Sequence, residues 1–314
     1  MISRRSLLKN LSAGFGYLAF ASLAARQAAA EDKPTNPLAA RKPHFAPRAK
    51  RVIFLCMSGG PSHVDTFDYK PQLAIDDGKQ ARYGGRLLKS PWEFRQRGSS
   101  GLWISDLFPS VAKHADDLCL IRSMNCDQPV HTGAITQMHT GTAQFIRPSL
   151  GAWTLYGLGT ENDDLPGFVS ISPPSGNAGV YGSAFLPAIY GGTKVGRGGR
   201  AARFAQMQPS ESVPDLKSEH QSRVAQRKQL DFVQSLNREH LARQEYSPEI
   251  EGVIESYELA FRMQDAMPDV MNLSGESRET LELYGAADGP TASFGKQCLL
   301  ARRLAEAGVR FVEI

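Results

Sequence analysis

The residues best suited to chemistry lie in three short stretches. The first is Ser58-Gly59-Gly60-Pro61-Ser62-His63-Val64-Asp65-Thr66-Phe67-Asp68. Two carboxylates and a histidine just after an apolar run are the ingredients of a site for a hard or borderline divalent metal. The glycines would let the backbone approach a ligand closely. The same residues also suit a turn in which Asp65 or Asp68 caps a helix or accepts from backbone. The second stretch is Asn125-Cys126-Asp127-Gln128-Pro129-Val130-His131-Thr132-Gly133. Here His131 is a candidate ligand or base and Thr132 a candidate nucleophile, at a helix start that would favour an anion. Thr132 would equally serve as a helix cap. His139-Thr140-Gly141 reads as the end of that helix, with Gly141 as its cap and His139 as a packing or dipole partner. The third stretch holds Arg147, which would grip an oxyanion such as phosphate or sulfate, or form an ordinary surface ion pair. There is no GxSxG elbow, HExxH helix, P-loop or EF-hand loop.

Positioning these groups requires strands and helices. Arg51-Val-Ile-Phe-Leu-Cys-Met57 is an apolar run stopped by glycines, which predicts a strand buried on both faces. Leu118 to Met124, Pro166 to Ser172 and Val309 to Ile314 are further such runs. Helical patterns lie between them, over 106–116, 134–139, 150–158, 219–244, 248–267 and 291–307. Strands alternating with helices predict an α/β fold with a mainly parallel sheet. The Gly-rich stretch 191–199 reads as a loop. The last run is a core strand at the chain's end, so the 314 residues are expected to be the first part of a longer protein.

Charge and leader patterning bound the location. Arg4-Arg5 and Lys9 precede an uncharged stretch from Asn10 to Ala25, shorter than the roughly 20 residues of a spanning helix. Ala28-Ala29-Ala30 follows as a small-residue cleavage signature. The paired arginines favour a twin-arginine signal over 1–30, hence the export machinery as a partner and a periplasmic or extracellular location. Residues 31–49, with Pro34, Pro37, Pro43 and Pro47, read as a linker. The net charge of +4 is supplied by Arg4, Arg5, Lys9 and Arg26, so the remainder is neutral and has no electrostatic footprint for nucleic acid. The four cysteines form no CxxC pair, and Cys56 and Cys119, in apolar runs, read as buried thiols.

Taken together, Lys50 to Pro71, Gly101 to Pro109, Asp117 to Met124, Gln137-Met-His-Thr-Gly141 and Arg147 to Trp153 resemble the exported bacterial family called domain of unknown function 1501. The resemblance runs from about Lys50 to the last residue, and it implies membership of the alkaline-phosphatase-like superfamily that includes the sulfatases. It implies a doubly wound, mainly parallel sheet with helices on both faces, incomplete at the C-terminus, and a metal site at the strands' carboxyl ends. The implied chemistry is metal-dependent hydrolysis of sulfate or phosphate esters, small-molecule or polysaccharide, with zinc, calcium or magnesium as the metal. On this likeness Asp65 and Asp68 would bind metal, His131 would bind metal or act as base, Thr132 would attack, and Arg147 would hold the oxyanion.

Two departures stand out. Where sulfatases have Cys-x-Pro-x-Arg, this chain has His131-Thr132-Gly133-Ala134-Ile135, which argues against formylglycine chemistry. The family's later segment, with a Trp-Asp-x-His-like motif that would supply most other ligands, has no counterpart here, so a complete two-metal site is not expected. The alternative reading is a non-catalytic secreted binding protein that keeps the fold.

Overall fold

The computed structural model describes residues 36–57, 60–173, 178–196, 221–243 and 248–314. The leader over 1–30, the start of the linker, Ser58 and Gly59 of the first candidate stretch, and 197–199 of the Gly-rich stretch lie outside them. The centre is a four-stranded sheet, β1 (Val52–Phe54), β4 (Phe168–Ile171), β5 (Thr193–Val195) and β6 (Phe311–Glu313), in the order β1-β6-β4-β5. Every neighbouring pair is parallel, with Val52 opposite Phe311, Phe168 opposite Phe311 and Val169 opposite Thr193. All carboxyl ends therefore open on one side, where α/β sheets bind ligands. A separate antiparallel hairpin is formed by β2 (Phe94–Arg97) and β3 (Leu102–Ser105). Asp116 ties down its turn by accepting from the backbone N–H groups of Ser99 and Ser100 at 2.9 and 2.8 Å.

The helices, in chain order, are α1 (His63–Thr66), α2 (Pro71–Ile75), α3 (His131–Thr140), α4 (Leu150–Leu158), α5 (Arg223–Arg243), α6 (Pro248–Met271), α7 (Arg278–Leu283) and α8 (Ala292–Glu306). The core follows from side-chain pattern. All of β4 and β6 are buried. Phe168, Val169, Phe311 and Val312 form one cluster with Leu155, Met263, Met267, Leu300 and Leu304. Leu155 comes from α4, whose first turn is capped by Ser149 accepting from the Ala152 N–H at 3.2 Å. The methionines come from α6, and the last two leucines from α8. Helix α8 buries Leu299, Leu300, Ala301 and Leu304 along one stripe and feeds β6 through Gly308, whose φ of +102° permits the sharp reversal. Helix α5 pairs with α6, and its buried Gln234 donates to the carbonyl of Ile254 at 2.7 Å.

The α/β class and parallel sheet agree with the sequence reading, as do the helices near 134–139, 150–158, 219–244, 248–267 and 291–307. Several local expectations are corrected. β1 is not buried on both faces; it is an edge strand, and Val52 and Ile53 are exposed. Leu118 to Met124 forms no strand, and Leu118, Ile121 and Met124 are exposed. An apolar run becomes a strand only with a ladder partner, and among the described residues this one has none. The stretch 106–116 yields a 3₁₀ helix over Val111–Asp117 rather than an α-helix. The Gly-rich stretch contains β5, so it is not wholly loop. Cys119 is exposed and Cys56 partly exposed, so neither is a fully buried thiol.

Candidate active site

The chain leaves β1 at the sheet's open end and turns into α1. Aromatic packing directs this segment: Phe67 stacks on Phe108 at 5.0 Å, and Tyr69 packs on Phe94 and Trp103 of the hairpin. Thr66 is buried and donates to the carbonyls of Ser62 and His63. Asp65 and Asp68 are thereby held on a segment packed against Phe108 and the β2–β3 hairpin. Hydrogen bonds from the Ser62 and Ser90 side chains hold the Asp65 carboxyl below its usual range. Lys70, bonded at 2.8 Å, does the same for Asp68, with a further contribution from Arg122 at 3.9 Å. Both carboxylates are already engaged, Asp65 by serine hydroxyls and Asp68 by cationic side chains.

The second stretch arrives on α3. His131 opens this helix after an extended Val130, and Thr132 is its second residue, not its cap. His131 and Thr132 are exposed. The helix start meets the turn after β1 at Gly60. A β-carbon at Gly60 would lie 3.0 Å from Cε1 of His131, and the glycine's φ is +69°. The fold thus brings together two stretches far apart in sequence, by way of Gly60 and His131. Arg147 is exposed ahead of α4, and among the described residues it makes no ion pair with Asp65 or Asp68. Among those residues, too, no three His, Cys, Asp or Glu side chains gather as a metal-holding group. Asp65, Asp68 and His131 therefore do not complete a metal shell by themselves.

The most constrained ionisable groups lie deeper. His139, in the last turn of α3, donates from Nδ1 to the Ile135 carbonyl at 2.7 Å, and its Nε2 contacts Oε1 of Glu313 on β6. Both side chains are almost fully buried. Phe54 and Tyr181 meet the imidazole edge-on, each at 5.6 Å. Gly141 closes the helix in the left-handed conformation, as its position in the sequence suggests, and His139 is a packing residue. Sequence reasoning misses Glu313; the available signal is one acidic residue inside the apolar run Val309 to Ile314. Burial by itself lowers the His139 pKa. Hydrogen bonds to the Cys56 and Glu313 side chains, the Glu313 charge and the Ile135 carbonyl outweigh it and raise the value to about 10. Burial, then the charges of Glu313 and Cys56, push the Tyr181 hydroxyl up. With Nδ1 committed to a carbonyl and Nε2 to a carboxylate, His139 has no free lone pair to serve as base for Cys56. The cluster is an ion pair, not a nucleophile–base couple.

The raised His139 pKa sets a pH dependence. An unfolded histidine titrates near 6.5, so the pair's stabilisation is fully present below that pH and is lost as pH rises toward about 10. The melting temperature is expected to fall between those limits. A Glu313→Gln variant should show a flatter profile in the same thermal scans.

A family model described as protein of unknown function (DUF1501) matches residues 49–314. No curated protein and no solved structure matches the chain.

Proposed function

We propose that this chain, which belongs to the DUF1501 family, is an exported metal-dependent hydrolase of sulfate or phosphate esters with a doubly wound, alkaline-phosphatase-like architecture. The observation that carries this reading is the meeting of the post-β1 turn with the start of α3, where Gly60 lies against His131. It occurs on the side to which the parallel strands present their carboxyl ends, the usual ligand side of such sheets. The helix start supplies N–H groups and a positive dipole end, which suit an oxyanion. In this reading Asp65 and Asp68 are metal ligands, His131 a ligand or base, Thr132 the nucleophile and Arg147 an oxyanion contact. A divalent zinc, calcium or magnesium ion would polarise the ester oxygen when bound. The described donors leave its shell incomplete, so no step is assigned to it. The Arg4-Arg5 leader supports twin-arginine export to the periplasm or beyond.

One observation favours the second reading, a secreted binding protein. Asp68 is already engaged by Lys70 and approached by Arg122, an arrangement that balances its charge without metal. A direct assay separates the two. Purified chain is offered aryl sulfates and aryl phosphates with zinc, calcium or magnesium added singly, and each metal is titrated calorimetrically. The hydrolase reading expects turnover that depends on one metal and falls roughly 10²-fold or more in Asp65→Ala, the scale on which disturbing a metal's surroundings acts. No turnover, no metal heat and an unchanged melting temperature in chelator would leave the binding reading in its place.

A further inference from the structure

Helix α3 carries His131 and Thr132 at one end, yet it has little apolar surface with which to grip the sheet. Only His139 and Thr140 of its ten residues are buried. A helix without an apolar stripe has no packing face to fix its rotation. Gln137 ties it to the preceding loop through Cys126 and Asp127, and toward the sheet it has the contact from His139 to Glu313, flanked by Phe54 of β1 and by Tyr181. Glu313 is a firm reference point, because β6 is paired on both sides: Glu313 lies opposite Phe54 of β1 and Ser170 of β4. The backbone around it is bonded too, Ile314 N–H to the Phe54 carbonyl and Cys56 N–H to the Ile314 carbonyl, both at 3.0 Å.

We infer that His139 and Glu313 are the positioning pair of the candidate site: they fix α3 on β6 and so hold His131, about two helical turns away, against Gly60. Each residue of an α-helix turns the side-chain direction by about 100°. A slip of one residue at His139 would therefore swing His131 away from the post-β1 turn. The i−4 bond from Nδ1 to Ile135 fixes the ring on its own helix, so the single remaining nitrogen sets the helix against the strand. The functional consequence rests on the proposed site at residues 131 and 132; the mechanical role does not.

Hydrogen exchange on the full chain, read by mass spectrometry, tests this without metal or substrate. In His139→Ala, peptides covering 131–140 and 60–68 are expected to exchange roughly tenfold faster or more, while peptides from 299–312 keep their protection. In Glu313→Gln the amide can donate to Nε2 of a neutral His139, so protection of both regions should stay near wild type. The ring N–H resonance of His139 should persist in wild type and disappear in His139→Ala. Should His139→Ala lose protection throughout, the milder His139→Gln takes its place. Protection within about twofold of wild type at 60–68 and 131–140 in a folded His139 variant overturns the inference. Equal loss in Glu313→Gln and His139→Ala also overturns it, because the shared geometry would then not suffice. Either failure leaves the hydrolase reading to its own assay.

Discussion

Replacing His139 by alanine is expected to lower the free energy of unfolding by about 3–5 kcal/mol, the cost of removing one partner from a buried ion pair. The substitution strands the Glu313 carboxylate in a site where its side chain is only 4% exposed. It also removes a ring packed between Phe54 and Tyr181 and that ring's bond to the Ile135 carbonyl. At this chain length each kcal/mol corresponds to roughly 2 °C of melting temperature, so calorimetry resolves the effect easily. Removing both partners should cost less than the sum of the two single changes, since no charge is then left alone. A double-mutant cycle with His139→Ala and Glu313→Leu measures that coupling. Strict additivity would show that the two side chains contribute independently.

Phe168→Ala is expected to have a comparable effect for an unrelated reason. Phe168 is fully buried in β4 and meets Phe311 edge-on at 5.2 Å. Two glycines make room for its ring. A β-carbon at Gly151 would lie 2.7 Å from the ring, and one at Gly192 would lie 2.8 Å from it. Truncation leaves a cavity bordered by groups that have no side chains to fill it, which places the loss at about 3–5 kcal/mol, usual for Phe to Ala. The same geometry gives a compensating change. Gly151→Ala alone crowds the ring and should destabilise, whereas in the Phe168→Ala background its methyl occupies freed space. Denaturant unfolding should find the double variant more stable than Phe168→Ala. The opposite order would mean that α4 shifts to close the cavity by itself.

The parallel α/β class was legible because it depends on local regularities. Pro166 to Ser172 and Val309 to Ile314 are short apolar runs, and 291–307 has helical periodicity leading straight into the second of them. These patterns survive because both strands are central and buried. The Gly60 turn and His131 were each legible as candidates from residue type alone. Their meeting was not, because it depends on where α3 lies over the sheet.

The same limit explains the errors. Leu118 to Met124 is as apolar as a strand, but strand formation requires a neighbour, and the run has none among the described residues. β1 has the composition of a central strand and lies at an edge, since strand order is a property of the whole sheet. Glu313 shows the division most clearly. In the sequence it is one acid in an apolar run, a residue that burial alone would penalise. What makes the position tolerable is His139, 174 residues away along the chain, delivered by a helix whose own sequence does not specify the contact. The sequence by itself determined most of the elements, the balance of charge and the candidate chemistry, since composition and spacing encode these locally. Only the tertiary structure decided which charges share a buried site, because that follows from long-range contacts that no local pattern records.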